Sequence, residues 1–280
     1  MDHGRGSALR PKIGRAWIVV ALVGISVTTI YPLVFVVMTA LKGPKEYLTN
    51  RYGLPADPTL KQFLDAWQYA KVGTYLGNSA IVVVTSVVLS WIVCSMAGYA
   101  LSHLRFPGRR AAFFALLGSM MIAPQIILVP LYSMLYHMDL LDRHVGLILV
   151  YVTLAVPFGT YLMTSYFRGV PGELVEAAEV DGANHFQILW RVMVPVARPA
   201  LVTLGIFNFL WMWNELLFSL LILQEDHRTL MVGVANLRGQ YTTNIPLLSA
   251  GLFLAATPVL MVFAVFQTQL TKGMTMGAVK

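Results

Sequence analysis

The sequence contains few charged residues and almost no cysteine. Charged residues occupy 12% of its 280 positions, whereas they make up about 25% of a typical soluble domain. Together with a hydrophobic content of 57%, this composition excludes an ordinary soluble domain and indicates an integral membrane protein. Cys94 is the only cysteine, which excludes an intramolecular disulfide and a cysteine-rich metal site.

The motifs of common nucleotide and catalytic sites are also missing. There is no GxxxxGK(S/T) phosphate-binding loop, so the chain does not bind ATP by that route. HExxH, CxxC and GxSxG are absent, and no two of the six histidines have metal-ligand spacing on one helical face. We therefore expect no catalytic residue, no metal site and no cofactor in this chain. The net charge of +7 comes from basic residues near the ends of apolar segments, which is typical of membrane proteins and does not indicate nucleic-acid binding.

Six apolar segments, each long enough to cross a bilayer, account for most of the chain. They predict an all-α membrane protein with six transmembrane helices. The predicted spans are residues 16–40, 75–101, 111–136, 145–166, 199–223 and 249–270, within a membrane domain of residues 16–272 that lies between tails at 1–15 and 273–280. The third span contains Pro124 and Pro130, and such breaks require a neighbouring segment or a cavity to satisfy the backbone.

Basic residues in the connecting segments predict the orientation. An even number of spans places both termini on the same side of the membrane. The short loops differ most clearly, because three arginines lie within 105–110, whereas the short loop before residue 145 contains Arg143 alone. Since cytoplasmic loops are enriched in Lys and Arg, we expect a multi-pass protein with both termini in the cytoplasm.

The connection between the fourth and fifth spans has strong local signals for a helix, a turn and a second helix. We call residues 167–198 the hairpin. Pro171 is suited to the first position of a helix, where a missing N–H has no cost. Glu173 and Glu176 follow in the first turns, where negative charge meets the positive end of the helix dipole. Gly182 is typical of a residue that ends a helix in the left-handed conformation.

The second helix of the hairpin begins with a predicted capping box formed by Asn184 and Gln187. An apolar stripe with i, i+3, i+4, i+7 spacing follows. It consists of Phe186, Leu189, Trp190 and Met193. Pro195 and Pro199 separate this helix from the fifth span. Either the hairpin is a surface connection between two spans, or it is a docking element for another protein.

Polar residues inside apolar spans are costly, and they usually face a cavity or a partner. The candidates for a translocation pathway are Asn78, Ser79, Gln125, Asn208, Trp211, Asn214 and Glu215. Asn208 is expected nearest the centre of its span. Glu215 lies about 24 Å from Pro199 along an ideal helix, towards the outer end. There it is either an interfacial carboxylate beside belt tryptophans or a group that lines the pathway or packs against a partner subunit.

Several motifs resemble those of one transporter family. Glu176-Ala177-Ala178, followed by Asp181-Gly182-Ala183 and then Pro195 and Pro199, resembles the EAA loop of bacterial ABC-importer permeases. Four further motifs resemble the carbohydrate-uptake branch, of the maltose-transporter inner-membrane type. They are Asn78-Ser79, the basic turn at 105–109, the WNELLF segment at 213–218 and the C-terminal segment at 273–280.

This resemblance implies six helices of the type I ABC importer permease kind in a bacterial inner membrane, with the hairpin on the cytoplasmic side. It implies a cytoplasmic ATPase dimer that binds ATP and magnesium, a second permease subunit and an extracytoplasmic solute-binding protein. The implied cargo is a sugar or sugar derivative. The residues implied to couple transport to the ATPase are Glu173, Glu176, Ala177, Ala178, Asp181, Gly182 and Ala183.

Three alternatives stay open on the sequence alone. One is an ABC permease for another solute class, such as peptides or amino acids. The second is a stand-alone secondary carrier, which would function without an ATPase and would leave the EAA pattern unexplained. The third is a membrane enzyme, which would need a reactive group of residues that the sequence does not show.

Overall fold

The computed structural model of the chain describes residues 10–238 and 244–276. The described residues form helices and connecting turns, without a strand. Most of the predicted N-terminal tail and the last four residues of the predicted C-terminal tail lie outside the described residues, as do residues 239–243 of the last outer loop. The chain divides into two units, residues 1–69 with 237–254 and residues 70–236 with 255–280.

The helices are numbered in chain order. They are α1 (Arg10–Ala40), α2 (Pro44–Thr49), α3 (Lys61–Tyr69), α4 (Val72–His103), α5 (Arg109–Ser119), α6 (Leu128–His137), α7 (His144–Arg168), α8 (Gly172–Val180), α9 (His185–Ile188), α10 (Val194–Val196), α11 (Arg198–Asn214), α12 (Leu217–Ile222), α13 (Leu230–Ala235) and α14 (Ile245–Met276). A 3₁₀ turn (Pro124–Ile127) precedes α6, and a π-helical turn (Leu189–Met193) joins α9 to α10.

Four helices are long and apolar enough to cross a membrane: Trp17–Ala40 within α1, then α4 and α7, and Ile245–Gln267 within α14. Two further pairs of consecutive helices are long and apolar enough when each pair is taken together, but each pair is bent. Arg109–Ser119 and Pro124–His137 meet at 93°, and His185–Val196 and Arg198–Asn214 meet at 79°. The described residues therefore contain four candidate spans, or six if each bent pair counts as one.

The predicted third span at residues 111–136 is not one continuous helix. α5 ends at Ser119, and the chain resumes helical structure at Pro124. Proline has no N–H to continue the ladder, and it disfavours helical backbone in the residue before it. Ala123 accordingly has the extended angles φ −64° and ψ 125°. Pro124 therefore lies at a break in this span, as the sequence predicted, whereas Pro130 lies within the first turn of α6.

The predicted fifth span at residues 199–223 also ends earlier than expected. α11 stops at Asn214, Glu215 is extended with φ −71° and ψ 130°, and a new helix starts at Leu217. No proline or glycine marks this break. Its cause is the side chain of Glu215, whose contacts are described with the site below.

In the first unit, a small apolar cluster joins the end of α1, α3 and the start of α14. Ala40, Ala66 and Ala250 are fully buried in it, and the rings of Phe63 and Phe253 meet edge to face at 5.9 Å. Small residues at these three positions allow the helix backbones to approach closely.

Lys42, in the same unit, is a buried cation that the sequence did not single out. Its side chain is 1% exposed. The ammonium group donates to the carbonyl oxygens of Asn50 at 2.8 Å, Gly53 at 2.6 Å and Arg51 at 3.3 Å. All three donors of a lysine are thereby satisfied, and the loop that follows α1 is folded around this side chain.

In the second unit, α4 and α7 pack along each other, and α11 packs against both. Glycine makes the close approach feasible. A Cβ atom at Gly98 would lie 2.7 Å from Cβ of Met163, and one at Gly159 would overlap Sγ of Cys94. Cys94 itself is fully buried, as expected for a small core residue. This packing provides the rigid base on which the hairpin rests.

Candidate functional site

The first helix of the hairpin, α8, begins one residue later than the sequence predicted. Pro171 is the N-cap with φ −56° and ψ 130°, and Gly172 is the first helical residue. Glu173 lies in the first turn, where its negative charge interacts favourably with the positive end of the helix dipole. Val175 is buried, whereas Glu173 and Glu176 are exposed. One face of this short helix therefore packs inward, and its acidic face points outward.

The turn of the hairpin is a Schellman motif centred on Gly182. The N–H of Ala183 donates to the carbonyl of Ala178 at 3.0 Å, and the N–H of Gly182 donates to that of Glu179 at 3.0 Å. Gly182 has φ +80°, and nothing lies within 4 Å of the place that a Cβ would occupy. The left-handed backbone, rather than lack of space, is what requires glycine here. This confirms the conformation predicted for Gly182.

The capping box of the second helix is confirmed. The side chain of Asn184 accepts from the N–H of Gln187 at 2.9 Å, and the Gln187 side chain accepts from the N–H of Asn184 at 3.0 Å. These reciprocal bonds satisfy two N–H groups that a helix start would otherwise leave unpaired. They also fix the angle at which α9 leaves the turn.

The apolar stripe predicted for the second helix is correct only in part. Leu189 and Met193 are buried, but Phe186 is 64% exposed and Ile188 is buried in its place. The π-helical turn at Leu189–Met193 changes the register of the face. Pro195, which has no N–H to offer the preceding turn, lies two residues after the end of the π-helical turn. Sequence periodicity assumes 3.6 residues per turn and therefore misplaced the first position of the stripe.

The base of the hairpin is built into the core of the second unit. Ile188, Leu189 and Met193 belong to one buried cluster that also contains Cys94 and Tyr99 of α4, Met163 and Phe167 of α7, and Ala200 and Leu204 of α11. The pattern of the sequence indicated the apolar positions of the hairpin but not which helices they contact.

Two polar contacts brace the hairpin, and sequence reasoning missed both. The hydroxyl of Tyr99 lies 3.2 Å from Nδ1 of His185, and the Tyr99 ring stacks on His103 at 5.3 Å. The hydroxyl of Tyr166 donates to the carbonyl of Val196 at 3.3 Å. Tyrosines near the ends of long apolar helices are common, so the sequence offers no signal that separates these two from the rest.

The outer part of the hairpin is acidic and apolar at the same time. The exposed apolar side chains are Leu174 at 43%, Val180 at 88% and Phe186 at 64%. The exposed acidic side chains are Glu173, Glu176, Glu179 and Asp181. None of these four takes part in an ion pair with another described residue. We call this surface the hairpin tip.

The residues implied to couple transport divide between this tip and the core. Ala178 and Ala183 are partly buried and pack against the core cluster. The exposed members are Glu173, Glu176, Ala177, Asp181 and Gly182. Ala178 and Ala183 therefore set how closely the hairpin lies on its base, whereas the exposed members are available to another molecule.

Several of the seven pathway candidates are hydrogen-bonded within the chain. Asn78 and Ser79 bind the segment that follows α12: the amide of Asn78 donates to the carbonyls of Asp226 at 2.9 Å and Arg228 at 3.1 Å. The hydroxyl of Ser79 accepts from the N–H of Leu230 at 2.8 Å. Their polar groups are thus used to hold the chain together.

Glu215 is partly buried, and its carboxylate is bonded to three groups of the chain. Its carboxylate accepts from the N–H of Phe218 at 3.0 Å and of Ser219 at 3.2 Å, which caps the start of α12. It also accepts from the hydroxyl of Tyr151 at 3.0 Å, and the Tyr151 ring meets Trp211 edge to face at 5.6 Å. Glu215 therefore ends α11, starts α12 and ties both to α7.

The remaining candidates differ in exposure. Asn208 is 5% exposed and donates to Oγ of Ser90 at 2.8 Å, which links α11 to α4. Asn214 is exposed, and its amide donates to the carbonyl of Leu210 at 2.7 Å. Gln125 is exposed on the 3₁₀ turn between α5 and α6. Within residues 10–238 and 244–276, no group of His, Cys, Asp and Glu side chains could hold a metal ion.

The segment that Asn78 and Ser79 hold also carries both ion pairs of the described residues. Lys71 contacts Asp226 at 3.2 Å, and Oδ1 of Asp142 contacts Nδ1 of His227 at 3.0 Å. Oδ1 of Asp142 also accepts from the N–H of Gln224 at 2.8 Å. Partial burial raises the pKa of Asp142, but the hydrogen bonds from Gln224 and His227 and the charge of His227 outweigh it, so the pKa falls below its ordinary value of 3.8.

Known proteins are similar to this chain over most of its length. Residues 16–276 match the family described as binding-protein-dependent transport system inner membrane component. The diacetylchitobiose uptake system permease protein NgcG of Streptomyces coelicolor is 34% identical over 255 residues, covering 90% of this chain and 84% of that protein. The arabinooligosaccharides transport system permease protein AraQ of Halalkalibacterium halodurans is 31% identical over 261 residues, covering 91% and 93%.

A solved structure shares the fold. A chain from a bacterial ABC transporter involved in the import of the acidic polysaccharide alginate superimposes with a TM-score of 0.83. The match covers 96% of this chain and 99% of that chain, at 22% sequence identity.

Proposed function

We propose a function for this chain from the premise that it belongs to the family of binding-protein-dependent transport system inner membrane components. It is a permease subunit of an ABC importer that moves a sugar or sugar derivative across the membrane. The family match and the named relatives confirm the resemblance inferred from the sequence motifs. Relatives named for uptake of diacetylchitobiose and of arabinooligosaccharides support a carbohydrate cargo and make a peptide or amino-acid permease the weaker alternative.

The membrane arrangement follows from the two bent pairs. We take each pair as one crossing, which gives six crossings with both termini and the hairpin in the cytoplasm, as the basic residues predict. A second permease subunit would complete the translocation pathway, and an external solute-binding protein would deliver the sugar. Among the seven pathway candidates, Gln125 and Asn214 are the ones whose exposed amides suit the hydroxyl groups of a sugar. Asn78, Ser79, Asn208 and Glu215 already use polar groups for bonds within the chain.

The hairpin tip is the observation that carries the coupling role. Its unpaired acidic groups suit a basic cleft, and the exposed Leu174, Val180 and Phe186 suit an apolar one. Burial of a fully exposed side chain of this kind contributes about 1.5–3 kcal/mol, and the contribution of Leu174 would be smaller because it is already more than half buried. The partner is a cytoplasmic ATPase dimer that binds ATP and magnesium, so this chain needs no nucleotide site of its own.

The rigid base explains how the tip would transmit motion. Ile188 and Leu189 of the hairpin share one buried cluster with Leu204 of α11 and Phe167 of α7. Because a packed core deforms little, closure of an ATPase dimer against the tip would move these helices as a body. The spans would then switch between inward-facing and outward-facing arrangements.

Reversing one charge on the tip tests this proposal. Glu176→Lys places a cation where the ATPase would present its own basic group, and the loss of such a contact is about 2 kcal/mol or more. We expect at least tenfold less ATPase to co-purify with the variant and a corresponding loss of sugar uptake by cells.

The matched control is Glu225→Lys, the same charge reversal at an exposed residue outside the hairpin. It should leave ATPase co-purification unchanged. Normal sugar uptake by Glu176→Lys would refute the coupling role. Recovery of the unmodified chain without an ATPase, from membranes that still transport without ATP, would instead favour a secondary carrier.

A further inference from the structure

Four arginines line a cavity of about 1040 Å³ beside the hairpin. It is formed by the turn between α4 and α5, the first turns of α5 and the end of α7. The arginines are Arg105, Arg109, Arg110 and Arg168, and the apolar part of the wall includes Phe106, Phe113 and Phe114. The volume is at the upper end of the range of small-molecule sites.

The positive charge of this cavity has no carboxylate to balance it. Both ion pairs of the described residues lie elsewhere. Arg109 donates to the carbonyls of Ser102 at 3.2 Å and Leu104 at 3.3 Å, and Arg168 lies over the ring of Phe113 at 5.0 Å. These contacts position two guanidinium groups without neutralising them.

Arg105 and Arg110 are exposed, and their side chains make no hydrogen bond with any described residue. A guanidinium group offers five N–H donors in a planar fork that matches the oxygens of a phosphate. Two such forks are therefore available for a ligand in the same cavity.

The start of α5 adds to the positive potential. Its N-cap is Gly108, which provides no side-chain cap, and the first turn contains no acidic residue. Arg109 and Arg110 instead occupy the first two helical positions, where their charge repels the positive end of the helix dipole. A bound anion would relieve this repulsion and could accept from the free N–H groups.

The position of the cavity identifies the source of the anion. α4 and α7 are both long and apolar enough to cross a membrane, and the arginines lie at or just beyond the ends of these two helices. The cavity is therefore at the boundary between hydrocarbon and water, where lipid headgroups lie. Phe106 and Phe114 are 41% and 67% exposed there, which suits contact with the acyl and glycerol part of a lipid.

We propose that this cavity binds the phosphate group of an anionic membrane lipid. Arg168 is one of the first residues of the hairpin, so a lipid held here would contact the hairpin directly. The inference rests on the arginine cavity and on its place at the ends of α4 and α7, and it does not depend on the sugar cargo or on the ATPase.

The test is binding of fluorescent phosphatidylglycerol to the purified transporter in neutral-detergent micelles, measured by anisotropy. The variant is Arg105→Gln with Arg110→Gln, because both side chains are exposed and unbonded and their loss should not disturb the fold. Juxtamembrane arginines contribute about fivefold each to binding of anionic lipid, so we expect an affinity about 25-fold weaker. The control, Lys45→Gln with Arg143→Gln, removes the same charge from exposed residues outside the cavity and should change the affinity less than twofold.

Competition separates the sources of phosphate. Unlabelled phosphatidylglycerol should displace the probe, whereas phosphatidylcholine and inorganic phosphate at the same concentration should not. Displacement by inorganic phosphate equal to that by the lipid would overturn the proposal in favour of a free-anion site. Equal weakening by the control would overturn it in favour of general surface charge. Unchanged lipid affinity with loss of a co-purifying subunit would assign the cavity to a protein partner.

Discussion

Replacing Gly182 by alanine isolates the backbone conformation of the hairpin turn from its packing. Gly182 has φ +80°, and a Cβ added there would meet nothing within 4 Å. The entire cost of the substitution is thus the strain of a left-handed L-residue, about 1–2 kcal/mol. An equilibrium constant for opening the turn would rise by about 5- to 30-fold.

Two further variants make a series. Gly172 also has open space around a Cβ, but it is helical and has no positive φ. Gly172→Ala should therefore stabilise α8 by up to about 1 kcal/mol. Gly182→Asn should fall between the unmodified chain and Gly182→Ala, because asparagine tolerates the left-handed region better than alanine. The expected order of stability of the three variants follows from the backbone conformation at positions 172 and 182.

Hydrogen exchange measures the opening directly. The N–H groups of Gly182 and Ala183 close the turn on Glu179 and Ala178, so a peptide covering residues 178–184 reports on it. We expect exchange about 5- to 30-fold faster in Gly182→Ala and no faster in Gly172→Ala. Unchanged exchange in Gly182→Ala, or equal acceleration in both alanine variants, would refute the assignment of the turn to backbone strain.

Two other predictions concern helix packing and pH. Gly159→Ala should lower the unfolding temperature because its Cβ would overlap Sγ of Cys94, at a cost of about 1–3 kcal/mol. Adding Cys94→Ala in the same chain should recover part of the loss. The control Gly118→Ala should show no such loss, because a Cβ there meets nothing within 4 Å. Because the pKa of Asp142 is lowered, its carboxylate stabilises the segment after α12 at pH values above the ordinary pKa of 3.8, and this stabilisation is lost as the pH falls through the lower pKa of the folded state. Proteolysis at residues 224–229 should therefore increase only below about pH 4. Asp142→Asn should abolish this pH dependence.

The hairpin was predictable because its signals are local. Its capping box joins residues three positions apart, and the conformation of Gly182 follows from the end of the helix that precedes it. Even so, the π-helical turn shifted the buried face from Phe186 to Ile188. A constant period of 3.6 residues does not describe a helix that contains a π-helical turn. The prediction of a helix was therefore right, whereas the prediction of its buried face was partly wrong.

The end of the fifth span was not predictable from local signals. Residues 215–223 are as apolar as the helix before them, apart from Glu215, and contain no proline or glycine. The break depends on a carboxylate that bonds two N–H groups of the next helix and the hydroxyl of Tyr151, 64 positions away. A contact between residues so far apart in the sequence produces no periodic pattern in it.

The pathway candidates illustrate the same limit. Asn78, Ser79 and Asn208 were selected because a polar group in an apolar span needs a partner, and each of them has one. The partners are 118 to 151 positions away in the sequence. The rule that polar residues in membranes require partners was therefore correct, whereas the choice of a solute as that partner did not follow from it.

The bonds of Glu215 and the packing of the hairpin lie at opposite ends of α11. At its start, Ala200 and Leu204 belong to the same cluster as the hairpin residues Ile188 and Met193. At its end, about 25 Å further along a helix of 17 residues, the Glu215 carboxylate is bonded to Tyr151 of α7. A helix held at both ends cannot absorb a displacement of the hairpin by fraying. Motion imposed on the tip must therefore either carry α7 with α11 or break the bond between Tyr151 and Glu215.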